Sequence, residues 1–431
     1  MQDLKTLAAN LMSLEDKLIS CMKCGFCQAV CPVFGATGWE ADVTRGKIAL
    51  LEDLAHRILQ DPAKVNEKLG RCLLCGSCQS NCPSGVSILE IFMKARGIVA
   101  VYLGLSPFKK LIFRFILPRP GLFNTLTRLG AVFQGLGLRR DDNPQGAAAC
   151  SPLLAAFLGD RRVQRLPTPL NADPGPLDLP AGRSGLKVAF FPGCLGDKLY
   201  PSVAKASLKA LAHHGVGVWL PSGLACCGIP ALASGDRPGA VRQLRVNAEL
   251  LEPGSFDHLV TPCATCASTI KEWWPRLAED LPADQARAVR ALAAKTLDIS
   301  VFLVDVLKAQ TPVAAKGPAA KVTYHDSCHL KKVLGVENQP RALIRLNPAY
   351  ELVEMAEADR CCGCGGSFNL FHYDLSRQIG QRKRGHIVAS GAVAVAAGCP
   401  ACMMQITDAL AQGRDPVAVK HPVEIYAEAL P

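Results

Sequence analysis

What the chain lacks narrows its chemistry first. No window of 18 or more uninterrupted apolar residues occurs, and the nearest run, Leu111 to Leu117, is broken by Arg114. A membrane-spanning helix is therefore not expected. Met1 to Ser20 carries Asp3, Lys5, Glu15, Asp16 and Lys17 and has no apolar centre, so no secretory signal is expected there. No Gly-x-Gly-x-x-Gly follows a strand pattern and no flavin signature is present, which argues against a dinucleotide site on this chain. Acidic residues are outnumbered, 37 against 48 Lys and Arg, for a net charge of +11. That excess suits an acidic partner or an anionic membrane surface. With neither a nucleic-acid motif nor a dense basic stripe, no nucleic-acid partner is expected.

Cysteine is abundant instead. Of 20 Cys, nineteen fall into motif positions or lie beside one, so the thiols are read as metal ligands in a reducing compartment, most simply the cytoplasm. Cys21, Cys24, Cys27 and Cys31-Pro32 spell C-x-x-C-x-x-C-x-x-x-C-P, and Cys72, Cys75, Cys78 and Cys82-Pro83 spell it again. This is the bacterial run for cubane [4Fe–4S] clusters, in which the fourth Cys of each run ligates the other cluster. The expected sets are Cys21, Cys24, Cys27 with Cys82, and Cys72, Cys75, Cys78 with Cys31. Zinc is the plainer alternative for soft thiolates, but a structural zinc needs only four ligands. A disulfide framework would suit a small secreted chain, which 431 residues without a signal do not resemble.

Around these loops the spacing predicts helices. Leu4, Leu7, Leu11, Leu14 and Leu18 place an amphipathic helix over 2–20, packed on the first cluster loop. Ile48, Leu51, Leu54 and Ile58 place another over 47–60, and a third runs from Ile88 to Leu103. Residues 1–104 thus read as an α-helical ferredoxin domain. Residues 105–186 hold a basic amphipathic stretch, with Lys109, Lys110, Arg114, Arg119 and Arg128 among Phe and Leu, then a linker over 139–185 that few contacts should cross. The amphipathic stretch suits a membrane interface; covering the cluster domain or docking a partner subunit is the favoured reading. Cys150, alone here, is read as an ordinary thiol.

A duplication begins at Lys187. Cys194, Cys226-Cys227-Gly228 and Cys263/Cys266 recur as Cys328, Cys361-Cys362-Gly363 and Cys399/Cys402, at offsets of 134, 135 and 136. Strands at 188–191 and 321–324, with a helix over 202–214, predict two α/β repeats, 187–308 and 321–431, joined by a short linker over 309–320. Cys194 and Cys328 should stand just past the carboxyl end of a strand, where open α/β sheets place ligands. The whole is α+β and multidomain: a ferredoxin domain, then two tandem cysteine-rich repeats.

Five thiols from three loops, two of them adjacent, suit an unusual cluster. The C-x(31)-C-C-x(35)-C-x-x-C and C-x(32)-C-C-x(36)-C-x-x-C patterns resemble the cysteine-rich CCG domains of heterodisulfide reductase and its relatives. The full order, with Arg45-Gly46-Lys47 after the first loop, resembles the iron–sulfur subunits of glycolate oxidase and related D-lactate dehydrogenases. The resemblance implies a separate FAD subunit that oxidises the 2-hydroxy acid, with this chain passing electrons to a quinone or other carrier and holding no catalytic residue. It also implies a noncubane [4Fe–4S] cluster, or zinc, at Cys194, Cys226, Cys227, Cys263 and Cys266, and another at Cys328, Cys361, Cys362, Cys399 and Cys402. The basic amphipathic stretch leaves peripheral placement at the inner face of the cytoplasmic membrane open as well. Two other classes stay open: a heterodisulfide-type thiol enzyme working at the second repeat, and a scaffold with zinc in the repeats. His325, Asp326 and His329 are read as structural or as groups that tune the centre, Cys364 as a small loop residue, and Trp273 and Trp274 as core aromatics.

Overall fold

A computed structural model describes residues 4–167, 176–310 and 318–431. The predicted first helix is two, Leu4–Met12 and Glu15–Ile19, broken where the Ser13 hydroxyl donates to the Asn10 carbonyl at 2.7 Å. Residues 2 and 3 lie outside the described residues. Leu7, Leu11, Leu14 and Leu18 are all buried and share a core with Ile48, Leu51 and Leu54, each contributing roughly 2 kcal/mol through apolar burial. The helix expected over 47–60 runs instead from Thr44 to Ala55. Arg57 takes a left-handed φ of 62° and the Ile58 amide donates to the Asp53 carbonyl at 2.8 Å, a six-to-one closure that ends the helix. Ile58 is consequently exposed. The helix Ile88–Leu103 forms as expected.

Of the residues expected to form an uncrossed linker, 139–167 are structured and in contact with the second repeat, while 168–175 lie outside the described residues. Strands β1 (Leu138–Arg139), β2 (Ala148–Cys150) and β3 (Arg162–Val163) make a small antiparallel sheet. The Gln145 amide donates to the Asp415 and Val417 carbonyls, and the Arg162 amide to Asp408 Oδ1 at 2.7 Å. Polar composition suggested a loop; the Gln145 side-chain amide pins the segment to the second repeat, and Asp408 gives the Arg162 backbone N–H the partner that a free linker would find in water.

Each repeat holds a parallel sheet. In the first, β4 (Leu177–Leu179), β5 (Lys187–Phe190), β6 (Gly217–Leu220), β7 (His258–Thr261) and β8 (Thr296–Asp298) lie in the order β4-β6-β5-β7-β8. In the second, β9 (Ala320–His325), β10 (Tyr350–Leu352), β11 (Ala394–Ala397) and β12 (Ala418–Lys420) lie in the order β10-β9-β11-β12. Removing β4, an antiparallel edge strand drawn from the expected linker, leaves the same order in both. Near-continuous burial of Val188–Phe190 and Ala394–Ala397 is what a parallel strand covered on both faces requires. The join over 309–320 falls largely outside the described residues.

Candidate metal centres

The two loops of the ferredoxin domain build two small thiol-lined cavities. Cys21, Cys24, Cys27 and Cys82 line one; Cys31, Cys72, Cys75 and Cys78 line the other, with Cys78 also on the wall between them. The Phe34 amide donates to Cys31 Sγ and the Leu74 amide to Cys72 Sγ, both at 3.4 Å. Burial pushes the Cys31 thiol up to about 12, so a thiolate at this position needs a bound cation to exist near neutrality. Four soft donors per cavity, with backbone N–H groups directed at sulfur, fit an iron–sulfur cluster.

Arg45-Gly46-Lys47 explains itself in this setting. Arg45 pairs with Glu40 at 2.6 Å and donates to the Lys23 carbonyl at 3.2 Å, closing the first loop. A Cβ on Gly46 would stand 2.0 Å from the Glu40 carbonyl oxygen, a position only glycine can fill. Lys47, 1% exposed, reaches the Asp42 carbonyl beside Cys31 and Cys72. Arg96, also buried, donates to the Cys72 carbonyl and the Ala233 carbonyl at 2.7 Å each, tying the second loop to the first repeat.

All ten repeat cysteines stand beyond the carboxyl ends of parallel strands, in the loops that follow them or in the first turn of the next helix. Cys194 begins the helix after β5, Cys263 caps the helix after β7, and Cys399 caps Pro400–Gly413 after β11. In each Cys-Cys-Gly the glycine is left-handed, φ 95° at Gly228 and 94° at Gly363, with a Cβ at Gly363 meeting the Ser376 carbonyl oxygen at 2.8 Å. Asn247 and Trp274 clamp the first pair, donating to the Cys226 carbonyl at 3.1 Å and the Cys227 carbonyl at 2.9 Å. Trp274 is fully buried, as a core aromatic should be, but its indole N–H also positions this loop; Trp273 lines the cavity itself.

The repeats face one another. The Ala264 amide donates to the Gly398 carbonyl at 3.1 Å, and Thr265 Oγ1 lies 3.3 Å from Cys399 Sγ. Both five-thiol sets therefore open on one cavity of about 150 Å³, roofed by Leu73, Leu74, Leu89 and Met93 of the ferredoxin domain. Thiols holding protons toward them keep Cys227 and Cys362 well below the usual thiol range: Cys226 and Cys266 for the first, Cys361 and Cys402 for the second. Cys75 of the second ferredoxin loop lies against Cys361 in a small apolar cluster with Leu73 and Phe368.

Comparison with known proteins follows this division. Residues 17–86 match the 4Fe-4S dicluster domain, and residues 188–271 and 322–407 each match the cysteine-rich domain. A Bacillus subtilis protein named "Probable glycolate oxidase iron-sulfur subunit" is 30% identical over 402 residues, covering 91% of this chain and 89% of that one. The chain belongs to the glycolate oxidase iron–sulfur subunit family. The Escherichia coli glycolate oxidase iron–sulfur subunit is 27% identical over 433 residues, covering 98% and 96%. Lactate utilization protein A of an Exiguobacterium is 36% identical over 243 residues, covering 56% of this chain and 98% of that one.

Within this glycolate oxidase-type chain, residues beside the second repeat's thiols depart from the simplest reading. His325 is fully buried with both ring nitrogens unpartnered, and within 4.8 Å of ligand atoms of Cys362 and Cys402. Burial holds it neutral, down to about 3. The His329 Nε2–H donates to the Leu74 carbonyl at 3.3 Å while Nδ1 accepts from Thr265 at 3.1 Å, joining all three domains. Asp326 is structural, held by Arg341 at 2.7 Å. Cys364 lines the same cavity, buried. The duplication offsets set His325 opposite Phe191 and Cys364 opposite Ile229, which is the signal that marks both as additions of the second repeat.

Proposed function

We propose that the chain carries electrons from an FAD-containing partner that oxidises glycolate or D-lactate to a quinone or another carrier. The observation that carries this reading is a continuous line of thiol sites. It starts at the exposed Cys24, crosses the wall at Cys78, reaches Cys75 against Cys361, and ends in the cavity shared by the repeats. The ligand sets are Cys21, Cys24, Cys27, Cys82 and Cys31, Cys72, Cys75, Cys78 for two cubanes, with the five thiols of each repeat for two further clusters. Bound [4Fe–4S] clusters supply one-electron transfer at potentials set by charge, hydrogen bonding and burial.

The protein's own residues set those conditions. Lys47 and Arg96 place buried positive charge beside the second loop, which favours the more negative, reduced state there. Leu73, Leu74, Leu89 and Met93 keep water from the shared cavity. Ile19, Met22 and Phe26, exposed at 66%, 74% and 64% around the first loop, offer an apolar rim on which a partner can seat close to Cys24. Copurification with a flavoprotein, and glycolate- or D-lactate-driven dye reduction that needs both chains, is the expected outcome.

A second reading is favoured by one observation, the opening of both thiol sets on a single cavity: a thiol or disulfide substrate bound there. Disulfide reduction by the chain without any flavoprotein would establish it and overturn the first.

A further inference from the structure

From Ile91 to Arg140 the chain runs fifty residues without an Asp or Glu, while carrying nine Lys and Arg. The part of this stretch nearest the core is anchored. Arg114 forks onto Asp236 at 2.8 and 3.0 Å, the Phe113 carbonyl accepts from Gln243 at 3.3 Å, and Lys109 lies over the Phe371 ring. The outer part is not. Lys110, Arg119, Arg128, Arg139 and Arg140 are exposed, and none has a carboxylate partner among the described residues.

The helix Pro120–Gly137 has two unlike faces. Inward, Ala131 is buried and Gln134 exchanges two hydrogen bonds, both 2.9 Å, with the Leu166 backbone. Outward, Leu122, Leu126, Leu129, Phe133 and Leu136 follow one another at steps of four and three, exposed by 40% to 81%. Of 21 large apolar side chains exposed among the described residues, eleven lie between Val101 and Leu136, including Phe108, Leu111 and Phe115. A monomer seldom shows a contiguous apolar surface of this kind without a use for it.

The charge pattern chooses the occupant. A helical protein partner is registered by flanking charges of both signs, whereas here the charged residues on the helix and immediately at its ends, Arg119, Arg128, Arg139 and Arg140, are all positive. Basic flanks beside an apolar face match anionic headgroups above acyl chains. Among the described residues no helix is long and apolar enough to cross a membrane, so this one would lie in the surface plane. We propose that the helical segment over 107–137 docks the protein on an anionic bilayer, with Leu122, Leu126, Leu129, Phe133 and Leu136 sunk among the lipids and Arg119 and Arg128 on headgroups. The start of the same segment, Gly104 to Lys109, walls a cavity of about 240 Å³ that shares Ala233 and Ser367 with the thiol-lined one. The bilayer would thus adjoin the end of the electron path, although the docking stands independently of that path.

The test is cosedimentation of the anaerobically purified, iron-loaded full chain with phosphatidylcholine vesicles, with and without phosphatidylglycerol. Binding to the anionic vesicles, weakened by salt, is expected. Leu129→Asp with Phe133→Asp, both at exposed positions, should lower it by about tenfold or more while iron content and visible absorption stay unchanged. Arg119→Gln and Arg128→Gln should each cost about fivefold on anionic vesicles and little on neutral ones. The proposal is overturned if the wild-type chain stays in the supernatant with both vesicles, or if the Asp pair binds them as well as wild type does. Loss of a copurifying flavoprotein from the Asp pair, with vesicle binding intact, would make the stripe a protein interface instead. Substrate-driven dye reduction reads the electron-transfer role separately in each case.

Discussion

The Cys21–Cys31 and Cys72–Cys82 loops share a spelling and a backbone, with Lys23 and Leu74 left-handed at φ 54° and 52°, and Gly25 and Gly76 at 92° and 75°. Their surroundings are opposite. Cys24 is exposed among Ile19, Met22 and Phe26, whereas Cys75, its counterpart, is buried against Cys361, with Lys47 and Arg96 serving the same loop. The motif fixes how four thiols are presented; residues distant in sequence decide whether the site is a point of contact or an internal relay.

If that contrast is right, Cys75→Ser should do the greatest damage. It should remove about four irons per chain and disconnect the first loop from the repeats, while Cys24→Ser spares the buried centre's EPR signal. Iron analysis with stopped-flow reduction of the repeats checks both. Met22→Ala with Phe26→Ala, which removes the apolar rim without adding charge, should slow reduction by the flavoprotein by about tenfold and leave both potentials in place. Lys47→Met should lower the buried centre's potential by on the order of 100 mV and the exposed one's far less, as read by EPR-monitored redox titration; equal shifts would erase the comparison. Smallest is Cys364→Ala, which should cost about 1 kcal/mol in thermal unfolding and release no iron.

The gathering of the thiols into sets was legible because the spacing within each Cys run is local, and the duplication because offsets of 134 to 136 are counted directly. The strands at 188–191 and 321–324 were legible as short runs opening each copy, the first closed by Pro192-Gly193. The shared cavity was not, since the approach of Ala264 to Gly398 depends on how two repeats dock, which no periodicity encodes. Nor was the fate of 139–167, where Gln145 and Arg162 find hydrogen-bond partners some 250 residues onward. The stop at Arg57 was hidden because a left-handed closure usually announces itself with glycine, and here an arginine supplies it.

The most direct test is metal analysis and low-temperature EPR of the anaerobically purified, dithionite-reduced chain. About sixteen irons, no stoichiometric zinc, and signals broadened by coupling between neighbouring centres are the expected result. A colourless, iron-free protein, or zinc at Cys21 to Cys82, would contradict the account.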